Sequence, residues 1–229
     1  MTAAQPGASA DAAEPPRLSA KSLGGLELKT GVAMIVLALL LAGCLAHASP
    51  DVRDGDIVFQ TSRSGQSAAI QKATHSPYSH MGLILYRGAK PYVLEAIGPV
   101  KYTPLAQWVA RGVGGKCVVK RLSDARAITP QGVEKLRQAA KSLEGKPYDP
   151  TFDWSDDRIY CSELVWKIYD RALGIEIGQL QPLRTLDLSD PIVRAKLNER
   201  YGGNPPLNEP VITPAALFNA SALETVPVR

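Results

Sequence analysis

Cysteine and histidine are scarce in this chain of 229 residues, with three of each. The cysteines are Cys44, Cys117 and Cys161, and no two form a Cys-x-x-Cys pair; no two histidines form a His-x-x-x-His pair. The ligand spacing of most structural metal sites is therefore missing, although His75, His80 and Cys161 are available as donors. No metal and no cofactor is expected. Aromatic residues are only 6%, the formal net charge is a modest +4, and no dense basic stripe carries interleaved aromatics. Nucleic acid is thus a poor partner for this chain. No apolar run reaches the roughly 20 residues of a comfortable membrane-spanning helix. There is no internal repeat.

The amino terminus comes first among the features present. Residues 1–20 are rich in Ala, Pro and Gly and lack a core pattern, so they are expected to be disordered; a misassigned upstream start codon would look the same. Lys29 then precedes an almost purely apolar run, residues 31–41, of the length of a secretory h-region. It ends in Leu41-Ala42-Gly43-Cys44, which resembles the bacterial lipobox, with Cys44 as the lipidated residue. Ala46-His47-Ala48 offers a rival small-x-small cleavage site that would release a soluble periplasmic protein after Ala48. An uncleaved anchor is the third option. All three export the body of the protein. Residue Leu45 after the lipobox is not aspartate, which directs a lipoprotein to the outer membrane, with a lipid anchor as its membrane contact. Residues 1–48 are read as leader and residues 52–229 as one folded domain.

Within that domain, residues 55–60, 80–86, 92–97 and 117–122 read as strands, and residues 67–74, 104–110, 129–143 and 155–171 as helices. Thr129 and Pro130 suit a helix start, and Gly145 and Gly174 suit helix ends. A helical piece is expected near residues 192–200, and Thr213 is expected to cap a last helix. Strands and helices mix without one-to-one alternation, which favours an α+β fold with an antiparallel sheet. Cys117, inside a strand-like run, reads as a small buried hydrophobe, although an exported protein has the option of pairing it with Cys161.

Three residues carry chemistry. Cys161 lies on the apolar stripe of the 155–171 helix, with Ser155, Asp156 and Asp157 as an acidic first turn. His80 opens the run Met81-Gly82-Leu83-Ile84-Leu85, a strand pattern buried on both faces. Glu95 is flanked by Val93 and Ile97 on its own strand face, and a carboxylate in such company needs partners. A hairpin loop of Arg87-Gly88 sets His80 opposite Glu95. A loop over residues 87–90 sets His80 opposite Ile97 and diagonal to Glu95. Both registers put the two on one face, and a three-residue loop without a bulge would separate them. The constellation suits a thiol hydrolase: Cys161 as nucleophile, His80 as base and then acid, Glu95 orienting the imidazole, and the Cys161 N–H as oxyanion donor. Gln60, Tyr78 and Tyr148 are candidate substrate-binding residues.

Gly55-Asp56-Ile57-Val58-Phe59-Gln60, Ser76-Pro77-Tyr78-Ser79-His80-Met81-Gly82, and Tyr148-Asp149 leading to Tyr160-Cys161-Ser162-Glu163-Leu164 together resemble the YiiX/YaeF-like group. These are circularly permuted members of the NlpC-type, papain-like peptidase superfamily. The resemblance spans roughly residues 55–172. It implies a papain-like α+β core in which an antiparallel sheet, histidine strand first, packs against the cysteine-bearing helix. It also implies a Cys-His-polar triad, which falls on Cys161, His80 and Glu95. Related permuted enzymes act on amide or acyl bonds in peptidoglycan peptides or lipids. The expected function is cleavage of an amide bond in a cell-envelope molecule, with peptidoglycan peptides as one candidate substrate. The alternatives are a lipid acyltransferase or thioesterase, and a non-catalytic envelope-binding module.

Overall fold

The computed structural model describes residues 51–227, so the leader, including Cys44 and both cleavage sites, lies outside the described residues. Six strands form one antiparallel sheet: β1 (Ile57–Gln60), β2 (His80–Arg87), β3 (Lys90–Glu95), β4 (Lys101–Pro104), β5 (Val118–Leu122) and β8 (Leu223–Thr225), in the order β4-β3-β2-β1-β5-β8. Strands β6 (Gln181–Pro182) and β7 (Pro210–Val211) make a separate small ribbon. The helices are α1 (Gly65–Thr74), α2 (Leu105–Arg111), α3 (Pro130–Leu143), α4 (Cys161–Leu173), α5 (Pro191–Tyr201) and α6 (Pro214–Phe218).

The central strands are apolar on both faces, as the unbroken run in β2 requires. Ile57, Phe59, Met81, Leu83, Leu85 and Leu94 pack on one face against Leu136, Ala140 and Leu143 of α3 and Leu164, Val165 and Ile168 of α4. Val58, Ile84, Val93 and Val119 on the other face meet Trp108 of α2 in a smaller core. Thr129 caps α3, its hydroxyl accepting from the Gly132 N–H at 3.0 Å, with Pro130 at the first position. The fold is the expected α+β arrangement, an antiparallel sheet against the cysteine-bearing helix.

One open choice is settled and one expectation changes. The β2–β3 turn pairs Arg87 with Lys90, and the ladder continues through Leu83 and Leu94. This is the register that sets His80 diagonal to Glu95. The cysteine helix begins at Cys161, not at Ser155. Ile159 donates to the Pro147 carbonyl at 2.9 Å and accepts from the Asp149 N–H at 3.1 Å, so this backbone is tied to the 147–149 segment and cannot coil. Asp156 consequently lies outside α4 and pairs with Lys167 and Arg171 from there. Strands β4 and β8 were not expected: Lys101-Tyr102-Thr103-Pro104 has no apolar alternation, and β8 has only three residues.

Candidate functional site

The start of α4 is held from two directions. The Tyr160 N–H donates to Glu163 Oε2 at 3.2 Å, so a glutamate three residues into the helix reaches back to its start. Ser162 donates to the Ile212 carbonyl at 2.8 Å, and the Tyr160 hydroxyl accepts from the Ile212 N–H at 3.1 Å. Cys161 is thus the first helical residue. Its N–H belongs to the group of donors with no partner inside the helix, and it sits where the helix dipole favours negative charge. The later helix start places the thiol closer to that positive end than a start at Ser155 would.

His80 opens β2, with its strand partner Gln60 across the ladder. Glu95 ends β3 on the same face, and His80 Nε2 meets Glu95 Oε2 at 2.7 Å. Gly82 lies directly beside this pair. A side chain there would meet Val93 and would approach the Leu94 carbonyl to 2.7 Å, so glycine is what lets β3 bring Glu95 in. The other carboxylate oxygen accepts from Thr103 Oγ1 at 2.6 Å and from Arg111 Nη2 at 2.5 Å. The Trp108 ring lies over the imidazole, with centroids 5.8 Å apart and planes 28° from parallel. With Nε2 held by Glu95, Nδ1 is the nitrogen left for the Cys161 thiol beside it.

The electrostatics follow from this enclosure. Burial would lower the His80 pKa, but the adjacent Cys161 and then Glu95 outweigh it and raise it to about 9. Burial would likewise push the Glu95 carboxyl up, but His80, Thr103 and Arg111 hold it below its ordinary range. At neutral pH the pair is imidazolium and carboxylate.

Cys161 lies at the meeting of two cavities. The first is a cleft of mixed character, in which His80, Gln60, Arg63, Arg111 and Tyr148 stand beside Ile70, Ala96 and Ile97. The second is strongly apolar and lies between α1 and α5. Gln60 Oε1 is buried without a hydrogen-bond partner among the described residues. The Tyr148 hydroxyl accepts from Gln66 Nε2 at 2.9 Å, and burial first, then Cys161, raises its pKa. Tyr148 therefore stays a neutral phenol. Tyr78 does not line either cavity; its ring stacks on Phe218 at 4.2 Å and meets Phe59 edge-on. Cys117 and Cys161 are both free, so the disulfide option is not taken.

Thr103, Trp108 and Arg111 were not foreseen as parts of the site. They hang on β4 and α2, and nothing in their spacing ties them to Glu95 before those elements fold against β3. Glu163 had a legible signal, a glutamate three residues after a helix cap.

A cysteine at a helix start, facing a histidine from an antiparallel sheet and preceded by it in sequence, defines a permuted papain-like arrangement. The comparisons specify the family. Residues 51–227 match the model described as "Permuted papain-like amidase enzyme, YaeF/YiiX, C92 family", and the chain belongs to that family. It is 53% identical over 193 residues to the protein described as "Uncharacterized protein YiiX" of Escherichia coli strain K12, covering 84% of this chain and 94% of that one. It is also similar to a solved structure described as that of metalloprotein yiiX from Escherichia coli O157:H7. There the TM-score is 0.74 and the identity 56%, over 77% of this chain and 97% of the other.

Proposed function

We propose that the protein is an exported thiol hydrolase that cleaves an amide bond of a cell-envelope molecule through Cys161, His80 and Glu95. Family membership supports a cysteine hydrolase of the amidase kind. The observation that carries the residue assignment is the His80–Glu95 contact at 2.7 Å, made beside a cysteine at the first position of a helix.

In this reading Cys161 Sγ attacks the carbonyl carbon and forms a C–S bond. The oxyanion is met by the Cys161 N–H, with the Gln60 side-chain amide, which lines the same cleft, as a second donor. The C–N bond breaks as His80 gives its proton to the departing amine. The acyl thioester then takes up water, whose proton goes to His80, and the C–S bond breaks to release a carboxylic acid. Glu95 keeps the ring oriented and its positive form favoured throughout.

The word metalloprotein, applied to the solved relative, raises a metal for this chain too. The donor set does not fit one: among the described residues no three His, Cys, Asp or Glu side chains are grouped to hold an ion, and Glu95 is already filled by His80, Thr103 and Arg111. No step is routed through a metal. Export rests on residues 31–48 alone; among the described residues no helix is long and apolar enough to cross a membrane.

The test incubates the protein with peptidoglycan fragments and phospholipids and identifies products by mass spectrometry, alongside iodoacetamide labelling. Cys161 should be alkylated far faster than Cys117, whose thiol burial pushes up. Products that persist in Cys161→Ala, or equal labelling of the two cysteines, would remove the hydrolase reading and leave a binding module.

A further inference from the structure

We propose that the cleft shared by His80 and Cys161 selects a substrate whose leaving group carries an anion, a carboxylate or a phosphate, and that Arg111 and Arg63 hold it. This rests on the hydrolase reading above and names the class of its leaving group.

The direction comes first. In that reading His80 gives its proton to the departing amine, and an acid must stand beside the atom it protonates. His80 lines the cleft together with Arg63, Arg111 and Cys161. The leaving group therefore occupies the cleft, within the field of both guanidinium groups.

That field is one-sided. Among the described residues no aspartate or glutamate lines the cleft. Glu95 is fully buried, and two cations already share it, His80 at Oε2 and Arg111 at Oε1. Protonated His80, Arg111 and Arg63 together outnumber Glu95 and an ionised Cys161, so the cleft keeps an excess of positive charge. A cleft lined by one sign of charge draws in ligands of the other.

Arg111 is placed to serve both the triad and a ligand. It is the last residue of α2. Glu95 engages its Nη2, yet the side chain stays 38% exposed. A guanidinium carries five N–H donors in a planar fork, and a single carboxylate oxygen cannot fill them. The donors left over suit a second oxyanion. Arg63 comes from a separate segment, the loop before α1, and is exposed. Beside it Ser62 Oγ donates to Ser64 Oγ at 2.9 Å, which leaves the Ser64 hydroxyl proton for a ligand in the cleft that both serines line.

The experiment titrates four small ligands by calorimetry into the full chain carrying Cys161→Ala, so that turnover does not enter. All share an acetyl-alanyl group and differ in the amine it is joined to: glycine, phosphoethanolamine, glycinamide or ethylenediamine. These put a carboxylate, a phosphate, a neutral amide and an ammonium on the leaving side. The first two should bind roughly tenfold more tightly than the third, because a hydrogen bond to a charged group is worth that much, and the ammonium should bind most weakly. The preference should shrink as salt rises from about 0.01 M to about 1 M. The tighter of the first two identifies the anion. Arg111→Met, added to Cys161→Ala, should lower the ratio of anionic to neutral affinity. Arg63→Gln, at an exposed position, should lower it too, and is the second variant should loss of Arg111 disturb Glu95. A residue that only tethers Glu95 would not move this ratio. Equal affinity for the four ligands, no measurable binding, or an unchanged ratio in both variants overturns the proposal. Turnover by the unmodified protein reports separately on the hydrolase: anion preference without turnover would keep the anion site and remove the hydrolase, and turnover of all four ligands at one rate would do the reverse.

Discussion

At the scale of residues, the proposed triad of Cys161, His80 and Glu95 is tested by substitution. Cys161→Ala and His80→Ala should each lower turnover by about 10⁴-fold, and the double variant should be little worse, because nucleophile and base act as a unit. Glu95→Gln should do less harm, since it keeps the shape and one hydrogen-bonding group. Its diagnostic effect is on His80, which Glu95 helps to raise to about 9. Removing the negative charge makes imidazolium less favourable, so the His80 ring, followed by nuclear magnetic resonance, should titrate at lower pH in the variant. An unchanged titration would make Glu95 a packing residue and leave another group to orient the ring. The raised value also bears on stability. The folded state holds the proton more tightly than an unfolded histidine near 6.5, so this contribution is fully present below about pH 6.5 and is lost as pH rises through 9. The pair His80 and Glu95 was legible from strand alternation. Their supports, Thr103, Trp108 and Arg111, were not, because a partner two strands away leaves no mark on local spacing.

At the scale of elements, two strands and one helix start position the site. Gly82→Ala would push a methyl group into Val93 and toward the Leu94 carbonyl, and backbone cannot swing aside as a side-chain tip can. It should cost about 1–3 kcal/mol by chemical denaturation and reduce activity as β3 carries Glu95 away. A variant with full stability and full activity would show that β3 is free to yield. The helix start depends on Glu163, which burial pushes up to about 7 against the pull of Lys167 and the Tyr160 N–H. Here an acid binds its proton more tightly in the folded state, so stability falls as pH rises from about 4.5 to 7. Glu163→Gln should flatten the dependence of the melting temperature over that window, and an unaltered slope would place its cause elsewhere. The hairpin register belongs to this scale too. Two registers kept His80 and Glu95 on one face, and the turn with Arg87 opposite Lys90 selects the diagonal one.

At the scale of the whole molecule, the leader and the body pose separate questions. If Leu41-Ala42-Gly43-Cys44 acts as a lipobox, intact-mass analysis of the mature protein will find acyl chains on Cys44 and detergent partitioning. An unmodified amino terminus at Ser49 would establish soluble export instead. Within the body, the antiparallel α+β class and the placing of His80 and Glu95 on one strand face were legible in the sequence, since periodicity and strand alternation are local and survive in one dimension. The start of α4 at Cys161 is different. The 147–149 segment competes for the backbone of Ile159, and that competition exists only once distant segments meet. The two cavities arise in the same way, one from α1 closing against α5 and the other from β1, β2 and α2. Which groups stand around Cys161 is decided by surfaces drawn from residues more than a hundred positions apart, which no local pattern encodes.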